Sequence, residues 1–253
     1  MIALTRAVPV SLIDCELTHL TREVIDIELA IEQHRAYEEK LSSLGCVIEH
    51  LPSTPDLPDS VFVEDTAVVL PDIAIITRPG AESRRAETES VAAALRRHRA
   101  VEVIQSSGTI DGGDVLVLGK NIYVGLSSRT NAEGIAQLGE LTASHGYQVH
   151  AVQVSGCLHL KSAVTQVARN KILLNPAWIT ASLFEGFDTI EVHADEPHAA
   201  NALMVGDAVV FPLHHPRTQQ ILEQSGLNVH TIEVGELAKA EAGVTCCSIL
   251  ISN

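Results

Sequence analysis

Aromatic side chains are scarce in this chain: they make up 3% of its 253 residues, with a single tryptophan. Any core must therefore be assembled from Val, Ile, Leu and Ala, and a hydrophobic fraction of 46% supplies enough of them for a packed globule rather than a disordered chain. Positive charge is also short. Seventeen basic residues against thirty-two acidic ones leave a formal charge of −15. Nucleic acid and anionic membrane both require a positive field, so neither is expected as a partner, whereas a small cation would be steered inward. No run approaches the ~20 apolar residues of a membrane span. The opening MIALTRAVPVSLID lacks both a long apolar stretch and a small-residue cleavage site, so no signal peptide is expected. The five cysteines are an odd number without disulfide-scaffold spacing, which points to a reducing cytoplasm. No CxxC or HxxxH pair and no glycine-rich phosphate loop occurs, so neither a metal nor a nucleotide cofactor is expected.

What the chain does have is a repeated unit of strand, turn, strand, helix and strand. One copy reads TAVVL, IAIIT, the helix ESVAAALRRH and VEVIQ. A second reads DVLVLG, NIYVGL, the helix NAEGIAQLGELTAS, Gly146 and YQVHAVQV. A third reads SAVTQVA, KILLNP, a short helix near Trp178 and DTIEVHA. A fourth reads ALMVG, AVVFPL, the helix RTQQILEQS, Gly226 and LNVHTIEV. The ends supply a fifth: CSILIS, MIALTRA, the helix DIELAIEQHRAYEEKLSSL, Gly45 and CVIEHLP. In that last helix Ile27, Ala30, Ile31, His34, Tyr37, Leu41 and Leu44 recur at helical spacing and mark one buried stripe. Gly45, Gly146 and Gly226 stand where left-handed C-terminal caps are wanted. The nearly continuous apolar strand pairs suggest strands covered on both faces. Five such units, the last made from both termini, predict a closed ring of pseudo-fivefold ββαβ repeats in a single α/β domain spanning 1–253. The competing reading is an ordinary open α/β sheet.

Each unit carries an unusual polar residue just before its first strand. These are Glu64-Asp65, Asp111-Gly-Gly-Asp114, His159-Leu-Lys161, Asn201 and Cys246-Cys247. In a ring they would converge on the axis, bringing a thiol, an imidazole and carboxylates to one end. A thiol must be deprotonated to attack, and a nearby imidazolium would lower its pKa. Taken singly, each motif has a plainer reading as a turn, a core histidine or a pair of strand thiols.

At these residues the sequence resembles the dimethylarginine dimethylaminohydrolase family, within the guanidino-modifying pentein enzymes that share a five-bladed α/β-propeller. LPDSVFVEDTAVV, AIITRPGAESRR, DGGDV, VGLSSRTNAEG, LHLKSAV and TCCSILI all look like family motifs in family order across nearly the whole chain. The resemblance implies Cys246 as nucleophile, His159 as general acid and base, and Asp111 as its acidic partner. It further implies that Asp59, Glu64 and Asp65 bind the guanidinium and α-amino end, that Arg84 and Arg129 hold the α-carboxylate, and that Leu17 lies on a loop, Leu17–Val24, covering the site. Hydrolysis of Nω-methylated arginine to citrulline through a thiouronium on Cys246 would follow, without a cofactor, in a monomer or homodimer. A deiminase acting on arginine or another guanidine, and a non-catalytic five-bladed module of the ribosomal anti-association type, are the alternatives.

Overall fold

The computed structural model describes residues 1–252. Their strands form five three-stranded sheets of one pattern, in which the middle strand has an antiparallel inner neighbour and a parallel outer one. In chain order the blades are Ala67–Val69, Ile73–Ile76 and Ala100–Val103; Val115–Leu118, Asn121–Leu126 and Gln148–Gln153; Val164–Ala168, Lys171–Leu174 and Asp188–Glu191; and Leu203–Val205, Ala208–Pro212 and Asn228–Ile232. The fifth uses both ends of the chain. Ile249–Ile251 runs antiparallel to Ile2–Thr5, with Ile2 opposite Ile251, and Ile2–Thr5 pairs in parallel with Val47–His50.

A tight turn suffices between antiparallel strands, but the step to a parallel neighbour needs a crossover, and in four blades a helix supplies it. These helices are Ile27–Ser43, Thr88–Leu95, Ala132–Ala143 and Pro216–Gln224. Asp26 and Asn131 cap two of them by accepting the N–H groups of Leu29 and Gly134. Gly45, Gly146 and Gly226 follow three of them at φ of 92°, 75° and 80°, the left-handed turn expected there.

Five apolar clusters alternate with the sheets. One joins the helix Thr88–Leu95 to Leu4 and Ile249 of the fifth blade, and another joins the first blade's Ile73 and Ile75 to Ile122 and Ile135 of the second. The inner strands of all five blades line an axial cavity of about 260 Å³. Glu64 and Lys161, an ion pair, are among its lining residues.

Three local expectations need correction. The short helix near Trp178 is not an α-helix: the segment turns and makes only a 3-10 turn at Ala181–Leu183. Asn175 sets that turn, its side chain accepting the Ala177 N–H at 2.9 Å and its carbonyl the Trp178 N–H at 3.1 Å. Cover on both faces holds for inner and middle strands, but the outer strands Val47–His50 and Ala100–Val103 are largely wet. Ile31 lies outside the buried stripe of its helix, at 37% exposure, while Gln33 is buried and accepts the Glu236 N–H.

Candidate active site

The blade pattern puts a short turn ahead of each inner strand, and these turns carry the polar residues. Glu64 and Asp65 lie in the 3-10 turn Val63–Thr66, Asp111 precedes the turn Gly112–Asp114, and His159 precedes the helical turn Leu160–Ala163. Asn201 ties two of these heads together, donating to the Lys161 carbonyl and the Thr245 hydroxyl and accepting the Thr245 N–H. The segment bearing Cys246 is held from the helix Ile27–Ser43: the Tyr37 hydroxyl donates to the Val244 carbonyl at 2.8 Å and pairs with Ser248 Oγ. The glycines of the Asp111–Asp114 motif are required by close approach. A Cβ on Gly113 would stand 2.5 Å from His159 Nδ1, and one on Gly112 would meet the Glu64 carbonyl at 2.0 Å.

Cys246, His159, Asp65, Asp59, Arg84 and Arg129 all line one cavity of about 20 Å³, together with Glu16, Phe62, Leu158 and the segment Ala240–Ala242. His159 Nε2 lies 3.1 Å from Asp111 Oδ2, and its Nδ1 is 3.9 Å from Asp65 Oδ1. Burial works against a charged imidazole, but Asp65, Asp111 and Asp114 outweigh it and lift the His159 pKa to about 9. The ring is therefore an imidazolium at neutral pH. Asp65 is also buried, and His159 and Arg84 hold its carboxyl down to about 2.

The Cys246 thiol departs from expectation. Burial first, then the Glu64 and Asp65 carboxylates, push its pKa well above the ordinary value, against a single N–H donated to Sγ by Gly243 at 3.3 Å. The imidazolium is present, yet burial and the surrounding carboxylates together keep the resting thiol protonated. Asp65, Asp111 and His159 present ligand atoms within 4.8 Å of one another. They already satisfy one another and Arg84, so these contacts read as a charge cluster.

The other sequence-predicted residues divide. The Asp59 carboxylate accepts the Glu16 N–H at 3.1 Å, and Arg129 Nη2 donates to Thr18 Oγ1 at 3.2 Å, so both meet the segment that follows Cys15. Leu17, on that loop, is half-buried against the core beneath it and is not among the cavity residues. Arg84 is buried and heavily engaged: it bonds Asp65 and both Glu87 oxygens and donates to the carbonyls of Asp59 and Phe62. Glu64 lines the axial cavity instead, with Lys161 on one oxygen and the Thr245 hydroxyl on the other at 2.6 Å.

Sequence reasoning counted Asp114 and Lys161 among the polar strand heads without giving either a task of its own, and did not single out Glu87 or Glu241. Asp114 accepts from Ser127, Thr130 and the Leu160 N–H and so fixes the turn behind His159. Its place in the Asp-Gly-Gly-Asp motif was the available signal. Glu87 stands three residues after Arg84, the spacing of a local ion pair, while Glu241 had no signal.

Blades and strand heads together define a five-bladed α/β-propeller of the pentein class. A family model described as "N,N dimethylarginine dimethylhydrolase, eukaryotic" matches residues 17–183. The chain is 42% identical over 235 residues to an N(G),N(G)-dimethylarginine dimethylaminohydrolase of Streptomyces coelicolor, covering 92% of this chain and 90% of that one. It is 37% identical over 226 residues to the protein of that description from Pseudomonas aeruginosa, covering 88% and 89%. A solved structure of the Pseudomonas aeruginosa enzyme, a cysteine-to-serine mutant complexed with citrulline, superposes with a TM-score of 0.93 at 36% identity over 98% of this chain and 97% of that one. The chain belongs to the dimethylarginine dimethylaminohydrolase family.

Proposed function

We propose that the protein hydrolyses Nω-methylated arginine to citrulline and methylamine or dimethylamine. The observation that carries this reading is the meeting of Cys246 and the His159–Asp111 pair at one small cavity with the carboxylates of Asp59 and Asp65 and with Arg129. Its relatives' described activity and the citrulline held by a similar structure support the same reading.

The substrate guanidinium docks against Asp65, with its amino-acid end toward Asp59, Arg84 and Arg129. Glu64 acts from behind the site, through the Thr245–Cys246 segment. Burial and the Glu64 and Asp65 carboxylates keep the Cys246 thiol protonated at rest; the arriving cation offsets the carboxylate part, and the thiol gives up its proton to solvent water. The thiolate forms a C–S bond to the guanidinium carbon. As the C–N bond breaks, its electron pair stays on the amine, which takes a proton from the His159 imidazolium. The neutral imidazole then deprotonates water, which attacks the thiouronium carbon. The C–S bond breaks with its electron pair on sulfur, the added hydroxyl passes its proton to that thiolate, and citrulline leaves with the Cys246 thiol and the His159 imidazolium restored.

Among the described residues no helix is long and apolar enough to cross a membrane. All five cysteines are unpaired, which supports a reducing, cytoplasmic setting. The test is product analysis with arginine, monomethylarginine and asymmetric dimethylarginine side by side. Citrulline with dimethylamine is the expected result. Ammonia from arginine, with the methylated substrates untouched, would make the protein a deiminase.

A further inference from the structure

The roof of the site has no regular secondary structure from Cys15 to Asp26, and most of its side chains are exposed. Cys15, Leu17 and Ile25 pack against the core, and between them the exposed residues 18–24 are held down by polar contacts. The Glu241 carboxylate makes three of them, accepting the N–H groups of three successive residues: Thr18 at 3.0 Å, His19 and Leu20. Consecutive backbone N–H groups turned to one side form a concavity suited to an anion. Glu241 also has a φ of 60°, the one positive φ outside glycine among the described residues. Glycine would sit there at less cost, so a glutamate held in that conformation points to use of its side chain.

The grip reaches the site. The loop held by Glu241 is also the one whose Thr18 hydroxyl accepts from Arg129 and whose Glu16 N–H donates to Asp59. Ser83 Oγ, 2.7 Å from Glu16 Oε1, adds a contact from the first blade. Glu241 itself lines the cavity beside Ala240 and Ala242.

We infer that Glu241 is a positioning residue: its carboxylate latches the Leu17–Leu20 segment over the amino-acid end of the substrate and so favours guanidines carrying a free α-amino acid. The inference rests on the substrate reading above. The latch acts at the end of the substrate remote from the carbon attacked by Cys246, so it governs binding more than chemistry.

The test compares wild type with Glu241→Gly, which frees the backbone and removes the carboxylate, and with Glu241→Gln, which keeps one acceptor oxygen. Hydrogen exchange at residues 18–20 should quicken at least tenfold in the glycine variant, with Tm unchanged or raised. KM for asymmetric dimethylarginine should rise at least tenfold while kcat falls less than threefold, and the glutamine variant should lie between. Alkylation of Cys246 by iodoacetamide, which has no amino-acid end to anchor, should hold its rate or quicken. Unchanged exchange at 18–20 would overturn the latch, as would unchanged KM with the loop freed. So would a joint fall of kcat, alkylation rate and Tm, the signature of a merely structural residue. If wild type turns over no methylarginine, the substrate reading fails by itself, and the exchange comparison still decides the latch.

Discussion

The thiols of Cys246 and Cys247 are adjacent in the chain, yet Cys246 faces the cavity it shares with His159 while Cys247 is buried in the core cluster that includes Tyr37. Their substitutions should separate accordingly. Cys246→Ser should lower kcat by about a thousandfold or more, since a hydroxyl in this anionic setting is a far weaker nucleophile. Cys247→Ala should cost about 1 kcal/mol of packing and leave turnover within twofold, read by denaturant melts and citrulline release. Near-normal activity in the serine variant would discard the covalent mechanism. His159 supports a second prediction. Its folded pKa of about 9 lies above the ordinary 6.5, so its contribution to stability is full below pH ~6.5 and is lost as pH rises through about 9. That contribution is on the order of 3 kcal/mol at most. The wild-type Tm should therefore fall more steeply across pH 6.5–9 than that of His159→Asn. Parallel slopes in the two proteins would mean that the imidazolium is not held as described.

Between the inner strands and the cavity, the turns form a linked set. Glu64 donates its N–H to the Cys246 carbonyl at 3.1 Å, while its side chain holds Lys161 and Thr245. Lys161→Met should leave the Glu64 charge enclosed without its cation, costing about 3 kcal/mol and loosening the segment that carries Cys246. Adding Glu64→Gln removes that stranded charge and should recover most of the stability. If citrulline production returns with it, Glu64 acts through the Thr245–Cys246 segment. If stability returns without activity, Glu64 must instead contact the substrate. At this scale the sequence was informative wherever a local rule governs. Apolar runs marked the inner and middle strands, and three glycines marked helix ends. Equivalent positions in the repeat brought Cys246, His159 and Asp111 to one end. The rule failed at Trp178, where the Asn175-Pro176 turn overrode a weak helical pattern. It also missed the wet outer strands, whose apolar residues resemble buried ones when read alone. Arg84 reads as a free cation in sequence because Asp65, its long-range partner, is joined to it only by folding, and Lys161 passed as a neighbour of His159 for the same reason.

Charge is the property that belongs to the whole chain. The formal total is −15, and the cavity and its roof concentrate carboxylates: Glu16, Asp59, Asp65 and Glu241 line it, with Asp111 immediately behind His159. Arg84 and Arg129 offset only part of this, and Arg84 is already committed to Asp65 and Glu87. A methylated arginine carries one net positive charge, so the field should draw it in, whereas an anionic reagent should be held off. Salt shortens the reach of that field from ~30 Å at 0.01 M to ~8 Å at 0.15 M. Across that range kcat/KM for asymmetric dimethylarginine should fall several-fold, with kcat nearly constant. Alkylation of Cys246 by iodoacetate should move the opposite way and quicken, because screening removes the repulsion. Neutral iodoacetamide should react at a rate indifferent to salt, which separates the field from any effect of ionic strength on the thiol. If the cation and the anion responded alike, the net charge would be a matter of solubility, and recognition of the guanidinium would rest on contacts inside the cavity alone.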